Sequence, residues 1–152
     1  MRDALISPGG DLTRYSDMTS ALLLSRFPEL TERINAELDL DGLPHCLFEQ
    51  VLTPVLREYF DDCDFSGVKT NRQKKSALKN ADPLVLRIFE FYEELAASGD
   101  EEVRNLLQVS LLEPLYDNKR SYAGARLFIG GKTWGLFESC AEYLNIPKGE
   151  ME

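Results

Sequence analysis

The sequence predicts an all-α fold, a compact irregular bundle of about six or seven helices. Apolar residues recur at helical spacing along most of the chain, and the alternation typical of strands is nearly absent. Residues that start and end helices separate these apolar stretches. A chain of 152 residues, 43% of them hydrophobic, is long enough to bury a core, so one domain covering residues 1–152 is expected.

Two short helices are predicted after a turn-rich start at Ser7 to Gly10. The first covers Asp17 to Phe27, with Asp17 or Thr19 as its N-cap. Pro28 begins the second helix, because proline is tolerated in a first helical turn, and Asp41-Gly42 ends it.

A third helix is predicted from Pro44 to Phe60, where the apolar residues share one broad face. Thr53-Pro54 interrupts this pattern, which predicts either a kink or a restart of the helix at that point. Three aspartates follow, and negative charge is unfavourable beside a helix C-terminus. We therefore expect these aspartates either to lie past the helix end or to be kept for another reason. They are Asp61, Asp62 and Asp64.

The second half of the chain contains two strongly apolar helices. Asp82-Pro83 is a strong helix start, with Asp as N-cap and Pro in the first turn, and Ser98-Gly99 ends that helix. Its apolar arc is wide enough to predict a central helix that touches several others. Asp100 caps the next helix, which becomes apolar on nearly all sides before Pro114 kinks or ends it.

The C-terminal part has a less regular pattern. Asn118 to Gly124 is expected to form a loop or a short turn, and Ala125 to Ile129 is the one segment whose pattern fits a short strand. Gly130-Gly131 breaks the chain after it. Thr133 is then the predicted N-cap of a final helix that ends near Asn145.

Charge is sorted along the chain. Residues 1–64 carry a net −8 and residues 81–152 a net −6, whereas a cationic island at residues 65–80 carries +5, which gives the total of −9. The island opens with Ser66-Gly67 and is predicted to be a basic loop, with at most one short helix, between two helical halves. A clasp folded across the acidic faces is the alternative. The island cations are Lys69, Arg72, Lys74, Lys75 and Lys79.

This charge pattern predicts the kind of partner. A net charge of −9 opposes nonspecific binding to nucleic acid or to an anionic membrane, and it favours a cationic partner. Phe65 is the only aromatic residue of the island, which gives little support for nucleic-acid binding. The alternative is a solvated acidic surface with no partner. The candidate partner-binding carboxylates cluster at predicted helix ends: Glu29, Glu32, Glu37, Asp39, Asp41, Asp61, Asp62 and Asp64.

No pattern in the sequence predicts a catalytic, cofactor or metal site. Gly131-Lys132-Thr133 resembles the end of a phosphate-binding loop, but Arg126 stands where that motif needs its first glycine. His45 and the cysteines lack the spacing of a zinc site, and nothing local brings His45 to a nucleophilic thiol. The cysteines, predicted to be free thiols, are Cys46, Cys63 and Cys140.

A cytoplasmic protein is expected. The longest apolar runs are only a few residues, so no segment is predicted to span a membrane. The N-terminal sequence MRDALISPGGD has no apolar region of signal-peptide length. An odd number of widely spaced cysteines fits a reducing compartment.

The C-terminal part of the chain also carries a resemblance. Leu112-Glu113-Pro114-Leu115 ends one predicted helix, and Gly130-Gly131-Lys132-Thr133 precedes the last one. In this arrangement, from Glu101 to Asn145, the chain resembles a group of small uncharacterised bacterial helical proteins. Those proteins are similar to immunity proteins, the cytosolic antidotes encoded beside secreted toxins of interbacterial competition systems. The resemblance implies a binding protein, so it carries over no catalytic residue.

The preferred hypothesis is therefore a toxin-neutralising immunity protein that binds a basic toxin domain, with a nuclease as one candidate, through its acidic surface. The resemblance implies a reason for the acidity, because an acidic antidote can mask the phosphate-binding surface of a nuclease. The alternative is a non-enzymatic regulatory or adaptor protein that docks a partner through the apolar arc around Ile88, Phe89 and Phe91. An enzyme is the third class, and the protein is expected not to be one.

Overall fold

A computed structural model describes residues 14–147 and 149–151 of the chain. These residues form eight α-helices and no strand, which confirms the all-α prediction. The turn predicted at Ser7 to Gly10 lies outside them, as does the N-terminal sequence searched for a signal peptide. No helix of the described residues combines the length and the apolar character that a membrane span requires.

The eight helices follow one another with short connections. They are α1 (Ser20–Arg26), α2 (Thr31–Ala36), α3 (Pro44–Asp62), α4 (Asn71–Lys79), α5 (Pro83–Ala96), α6 (Glu101–Asn105), α7 (Lys119–Phe128) and α8 (Gly131–Tyr143). Single 3-10 turns precede α1, α2 and α3, at Tyr15–Asp17, Pro28–Leu30 and Leu38–Leu40. Between α6 and α7 the chain continues as a π-helical segment, Leu106–Leu112, and a 3-10 turn, Glu113–Tyr116.

Capping side chains set several of the helix starts where the sequence predicts them. The Thr19 hydroxyl accepts a hydrogen bond from the Leu22 amide, and Asp82 and Asp100 accept from the amides of Leu84 and Glu102. Each cap satisfies an amide that has no partner within its own helix. Thr19, rather than Asp17, is therefore the cap of α1.

Helix α3 runs through the predicted interruption. Pro54 lies inside the helix, so Thr53-Pro54 neither ends nor restarts it. Proline removes one backbone hydrogen bond there, but the flanking turns of α3 are buried against the rest of the domain and hold the helix together. Asp61 and Asp62 occupy the last turn, and only Asp64 lies past the helix end.

The strand predicted at Ala125 to Ile129 is wrong, and so is the loop or short turn predicted before it. Asn118 caps α7 by accepting a hydrogen bond from the Ser121 amide at 2.8 Å. The buried residues of α7 then follow helical spacing: Ser121, Gly124, Ala125 and Phe128. Helix α7 therefore takes the place of both predicted elements and raises the helix count above the expected six or seven.

The cationic island at residues 65–80 consists of a loop and the one short helix that the prediction allowed, α4. A capping box starts α4, because the Thr70 hydroxyl accepts from the Gln73 amide and the Gln73 side chain accepts from the Thr70 amide. The clasp alternative is wrong for the described residues, since none of their ion pairs uses an island cation. The loop comprises the stretch before Thr70 and the residue after Lys79.

One continuous core joins both halves of the chain. Helix α3 packs against the π-helical segment and α7, while α5 packs against α8. Rings from three helices meet in this core, with Phe60, Phe89 and Phe128 at centroid separations of 5.6 to 6.3 Å. Gly124 lets α7 approach α3 closely, because a Cβ atom at this position would overlap the ring of Phe60.

Candidate functional site

The predicted partner-binding carboxylates do not form one cluster. Five of the eight lie between Glu29 and Asp41, before α3, and the other three lie at or just past its end. At 1.5 Å per residue, a helix of the length of α3 spans about 27 Å. An ion pair between Arg33 and Glu58 at 2.9 Å holds α2 against α3. Glu37, Asp39 and Asp41 thus lie before the start of α3 and Asp61, Asp62 and Asp64 at its end, while this ion pair places α2, with Glu32, beside the C-terminal part of α3.

Three of the eight carboxylates are engaged within the protein. Glu29 accepts two hydrogen bonds from the Arg87 guanidinium at 2.7 Å, and this pairing lowers the pKa of the Glu29 carboxyl. Asp64 accepts from the Ser66 amide at 3.0 Å and lies 3.9 Å from Arg120. The hydrogen bond from Ser66 lowers the pKa of Asp64.

Asp41 is the third engaged carboxylate, and its role is structural. It accepts hydrogen bonds from the Ser20 hydroxyl at 2.7 Å and from the Ser20 amide at 3.1 Å. These bonds lower the pKa of Asp41 and tie the chain before α3 to the first turn of α1. Asp41 therefore fixes the position of its neighbours, while its side chain stays exposed at the surface.

The five remaining carboxylates make no hydrogen bond or ion pair with another described residue. Four are exposed and Glu37 is half-buried. One lies in the first turn of α2, two lie in or beside the 3-10 turn that precedes α3, and two lie in the last turn of α3. They are Glu32, Glu37, Asp39, Asp61 and Asp62.

The segment of residues 37–43, here named the acidic turn, combines charge with exposed apolar surface. Leu38 and Leu43 expose 46% and 55% of their surfaces, and Glu37 and Asp39 flank Leu38. Backbone hydrogen bonds of 2.8 to 3.0 Å close the turn at Leu40, Asp41 and Leu43. Gly42 adopts a φ of 101°, a left-handed conformation that glycine takes without a steric penalty. Backbone hydrogen bonds therefore hold the turn in one conformation in which both leucines are exposed.

The apolar arc of the alternative hypothesis is not a surface. Ile88 and Phe91 are fully buried, and Phe89 exposes only 4% of its surface. Helix α5 is central, as its wide arc predicts, and other helices of the same domain cover that arc. In this fold, a partner cannot dock on these three side chains.

The glycine-rich start of α8 binds a carboxylate of the protein itself. The Glu93 carboxylate of α5 accepts hydrogen bonds from the Lys132 amide, the Thr133 amide and the Thr133 hydroxyl, at 2.8 to 3.0 Å. Burial alone would raise the pKa of Glu93, but these hydrogen bonds outweigh it and lower the pKa. Gly130 is the N-cap of α8, so the prediction of Thr133 as the cap is wrong. Thr133 instead lies in the first turn and binds Glu93.

His45 contacts a serine rather than a thiol. Its Nδ1 atom lies 2.5 Å from the hydroxyl oxygen of Ser110, a residue of the π-helical segment. Ser110 exposes 4% of its surface, so a substrate carbonyl has no direct path to its hydroxyl. The pair ties the start of α3 to the π-helical segment.

Among the described residues, no group of three or more His, Cys, Asp or Glu side chains could hold a metal ion.

A cationic cleft lies where the island meets α7, and the sequence prediction missed it. The cleft has a volume of about 720 Å³ and is walled by residues of the stretch before α4, of α4 itself, of α7 and of α8. Asp64 is the one acidic residue among those that line it. The cations that line it are Lys69, Lys74, Lys119, Arg120 and Arg126. The loop and strand predicted at residues 118–129 hid this cleft, since the basic wall formed by these residues is the helix α7.

Comparison with known proteins identifies the family. The family model described as domain of unknown function DUF7674 matches residues 20–144 of the chain. The chain belongs to the DUF7674 family. No curated protein and no solved structure matches it.

The DUF7674 match covers nearly the whole described fold. It starts at the first residue of α1 and ends one residue past α8. The acidic turn, the last turn of α3 and both basic walls of the cleft therefore lie within the family domain.

Proposed function

We propose that this DUF7674 protein is a toxin-neutralising immunity protein, and that it binds a cationic toxin domain through the acidic turn. The observation that carries the proposal is the pairing of two exposed leucines with adjacent carboxylates in one rigid turn. The resemblance of residues 101–145 to relatives of immunity proteins supplies the class of partner. The net charge of −9 favours a partner of positive charge.

The composition of the acidic turn fits a protein interface. Binding energy at interfaces concentrates in a few apolar anchors that are surrounded by polar groups. Leu38 and Leu43 supply apolar surface that the domain itself leaves open, and Glu37 and Asp39 stand next to it. Carboxylates at such a rim accelerate the approach of a cationic partner and align it.

The turn is also preorganised for binding. A flexible loop loses conformational freedom when a partner orders it, which weakens binding. Here the Ser20 contacts of Asp41 and the backbone hydrogen bonds of residues 37–43 hold the turn before any partner arrives.

The test uses the purified protein and the basic toxin domain encoded by the neighbouring gene. We expect a tight complex that weakens as salt is added, because screening reduces attraction between exposed charges. The double substitution Glu37→Lys and Asp39→Lys is expected to weaken binding by at least about tenfold, which corresponds to about 1.4 kcal/mol. Titration calorimetry at two salt concentrations measures both effects.

A matched control separates the acidic turn from charge in general. The double substitution Asp61→Lys and Asp62→Lys changes the net charge by the same amount at the end of α3 and is expected to weaken binding much less. An equal loss in both variants would show that net charge, not the turn, governs binding. The absence of a complex at low salt would overturn the proposal. Binding that is lost in Leu38→Ala and Leu43→Ala but is insensitive to salt would favour an adaptor that docks on apolar surface instead.

A further inference from the structure

The cationic cleft gathers positive charge in a protein that is otherwise acidic. Lys69 and Lys74 enter it from the island, and Lys119 enters it from the start of α7. None of these three lysines forms an ion pair with a described residue. Like charges held around one cleft repel one another, and an anionic ligand removes that repulsion. The charge of the cleft therefore fits an anion.

Arg120 sits at the junction of the two walls. Its guanidinium donates a hydrogen bond to the Asp61 carbonyl oxygen at 2.6 Å and lies 3.9 Å from the Asp64 carboxylate. These contacts hold the side chain at the edge of the cleft and bring the acidic end of α3 beside it. Asp61, Asp62 and Asp64 thus border the positive surface, and a long polyanion would meet repulsion there.

Aromatic side chains line the same cleft. Phe65 is packed against Phe128 at a centroid distance of 5.5 Å, and the Arg126 guanidinium covers Tyr122 at 5.7 Å. Trp134 is half-buried and contacts the ring of Phe137 at 5.8 Å, so part of its indole remains open toward the cleft. The indole offers a planar apolar surface in the same cleft as the lysines, which suits the ring of a ligand.

The size of the cleft fits a small molecule. A volume of about 720 Å³ falls within the roughly 300–1,000 Å³ of sites that hold small ligands and cofactors. Lysine ammonium groups bind phosphate as point charges, and aromatic side chains stack on nucleobases. From this combination we propose that the cleft binds a mononucleotide, with the phosphates at Lys69, Lys74 and Lys119 and the base near Trp134.

The chain carries its own reporter for this site. Trp134 is the single tryptophan of the sequence, so intrinsic tryptophan fluorescence comes from the wall of the cleft. Titration with ATP is expected to give a saturable change in fluorescence that weakens as salt is added. Inorganic triphosphate should bind at least about tenfold more weakly than ATP, because it lacks the base.

Paired variants of the island test the assignment of the lysines. The double substitution Lys69→Ala and Lys74→Ala is expected to weaken ATP binding by at least about tenfold, because it removes two charged contacts to phosphate. Lys75→Ala with Lys79→Ala removes the same charge from the same island but from outside the cleft, and it should change the affinity by less than about twofold. All four lysines are exposed, so both variants should fold.

Four results would overturn the proposal. They are no saturable change with ATP, GTP or CTP, an inorganic triphosphate that binds as tightly as ATP, an equal loss of affinity in the two double variants, and a short oligothymidylate that binds more tightly than ATP. The last would show a single-stranded nucleic-acid site instead. None of them bears on the acidic turn, which lies outside the cleft.

Discussion

Two buried tyrosines differ in whether their hydroxyl groups have a partner. The Tyr116 hydroxyl donates a hydrogen bond to the Phe137 carbonyl oxygen at 2.6 Å. The Tyr92 hydroxyl is buried with no hydrogen-bond partner among the described residues, and burial raises the pKa of Tyr92. A buried polar group without a partner destabilises the folded state, whereas a satisfied one does not.

Removing these hydroxyl groups should therefore have opposite effects. We expect Tyr92→Phe to leave the free energy of unfolding unchanged or to raise it by about 1 kcal/mol, and Tyr116→Phe to lower it by about 1 kcal/mol. Urea unfolding followed by circular dichroism measures both. If Tyr92→Phe lost as much stability as Tyr116→Phe, the Tyr92 hydroxyl would have a partner in solution.

At the scale of elements, a carboxylate of α5 accepts hydrogen bonds from the first amides of α8. Free amide groups at a helix N-terminus attract negative charge, and Glu93 supplies that charge from another helix. A Cβ atom at position 130 would approach the Glu93 carboxyl to 2.7 Å, so a glycine at this position leaves room for the contact. The Gly-Gly-Lys-Thr stretch is thus explained by the packing of two helices.

Replacing Glu93 by Gln should destabilise the protein in a pH-dependent way. We expect Glu93→Gln to lower the free energy of unfolding by about 1 kcal/mol near neutral pH. The folded state lowers the pKa of Glu93 below its ordinary value of 4.5, so its stabilisation is complete above that value. It is lost as the pH falls through the lowered pKa, and the difference between wild type and variant should shrink there.

Urea unfolding at a series of pH values measures this difference. Glu90→Gln is the control, since Glu90 is an exposed carboxylate on the same helix and should change stability by less than about 0.5 kcal/mol. A difference between wild type and Glu93→Gln that stayed constant down to acidic pH would show that the charge of Glu93 does not act through α8.

At the scale of the whole molecule, the acidic turn and the cationic cleft are formed by different residues. Lys69 and Lys74 of the island line a cleft together with α7, while the acidic turn lies in the chain before α3. Screening limits the influence of exposed charges to about 8 Å at physiological salt, so each surface can act on its own ligand. A toxin domain and a mononucleotide are thus compatible proposals for one domain.

The three cysteines differ in solvent exposure, so their rates of chemical modification measure how well the folded domain excludes a reagent. All are free thiols, as predicted: Cys46 is exposed, Cys63 is half-buried and Cys140 is buried. Burial raises the pKa of Cys140 to about 12, so its reactive thiolate is scarce near neutral pH.

We expect iodoacetamide to modify Cys46 first in the native protein and Cys140 only after unfolding. Mass spectrometry of timed samples measures this order, and early modification of Cys140 would show that α8 opens locally.

Local chemistry allowed much of the fold to be predicted from sequence. Thr19, Asp82 and Asp100 cap helices where predicted, because a cap depends on a few neighbouring residues. Helix α7 was missed because its apolar residues are few, and its interior glycine makes sense only once Phe60 is known to pack against it. Thr70 and Gln73 carry a capping-box pattern that could have revealed α4.

The sequence by itself determined the fold class, most helix starts and the sorting of charge, because periodicity, capping and composition are local properties. Tertiary structure alone decided which carboxylates remain open, since Glu29 and Asp41 are engaged by Arg87 and Ser20, residues distant in sequence. It also decided that the apolar arc of α5 is core and that the island and α7 face each other across a cleft. These outcomes depend on contacts between distant segments, which no local pattern specifies.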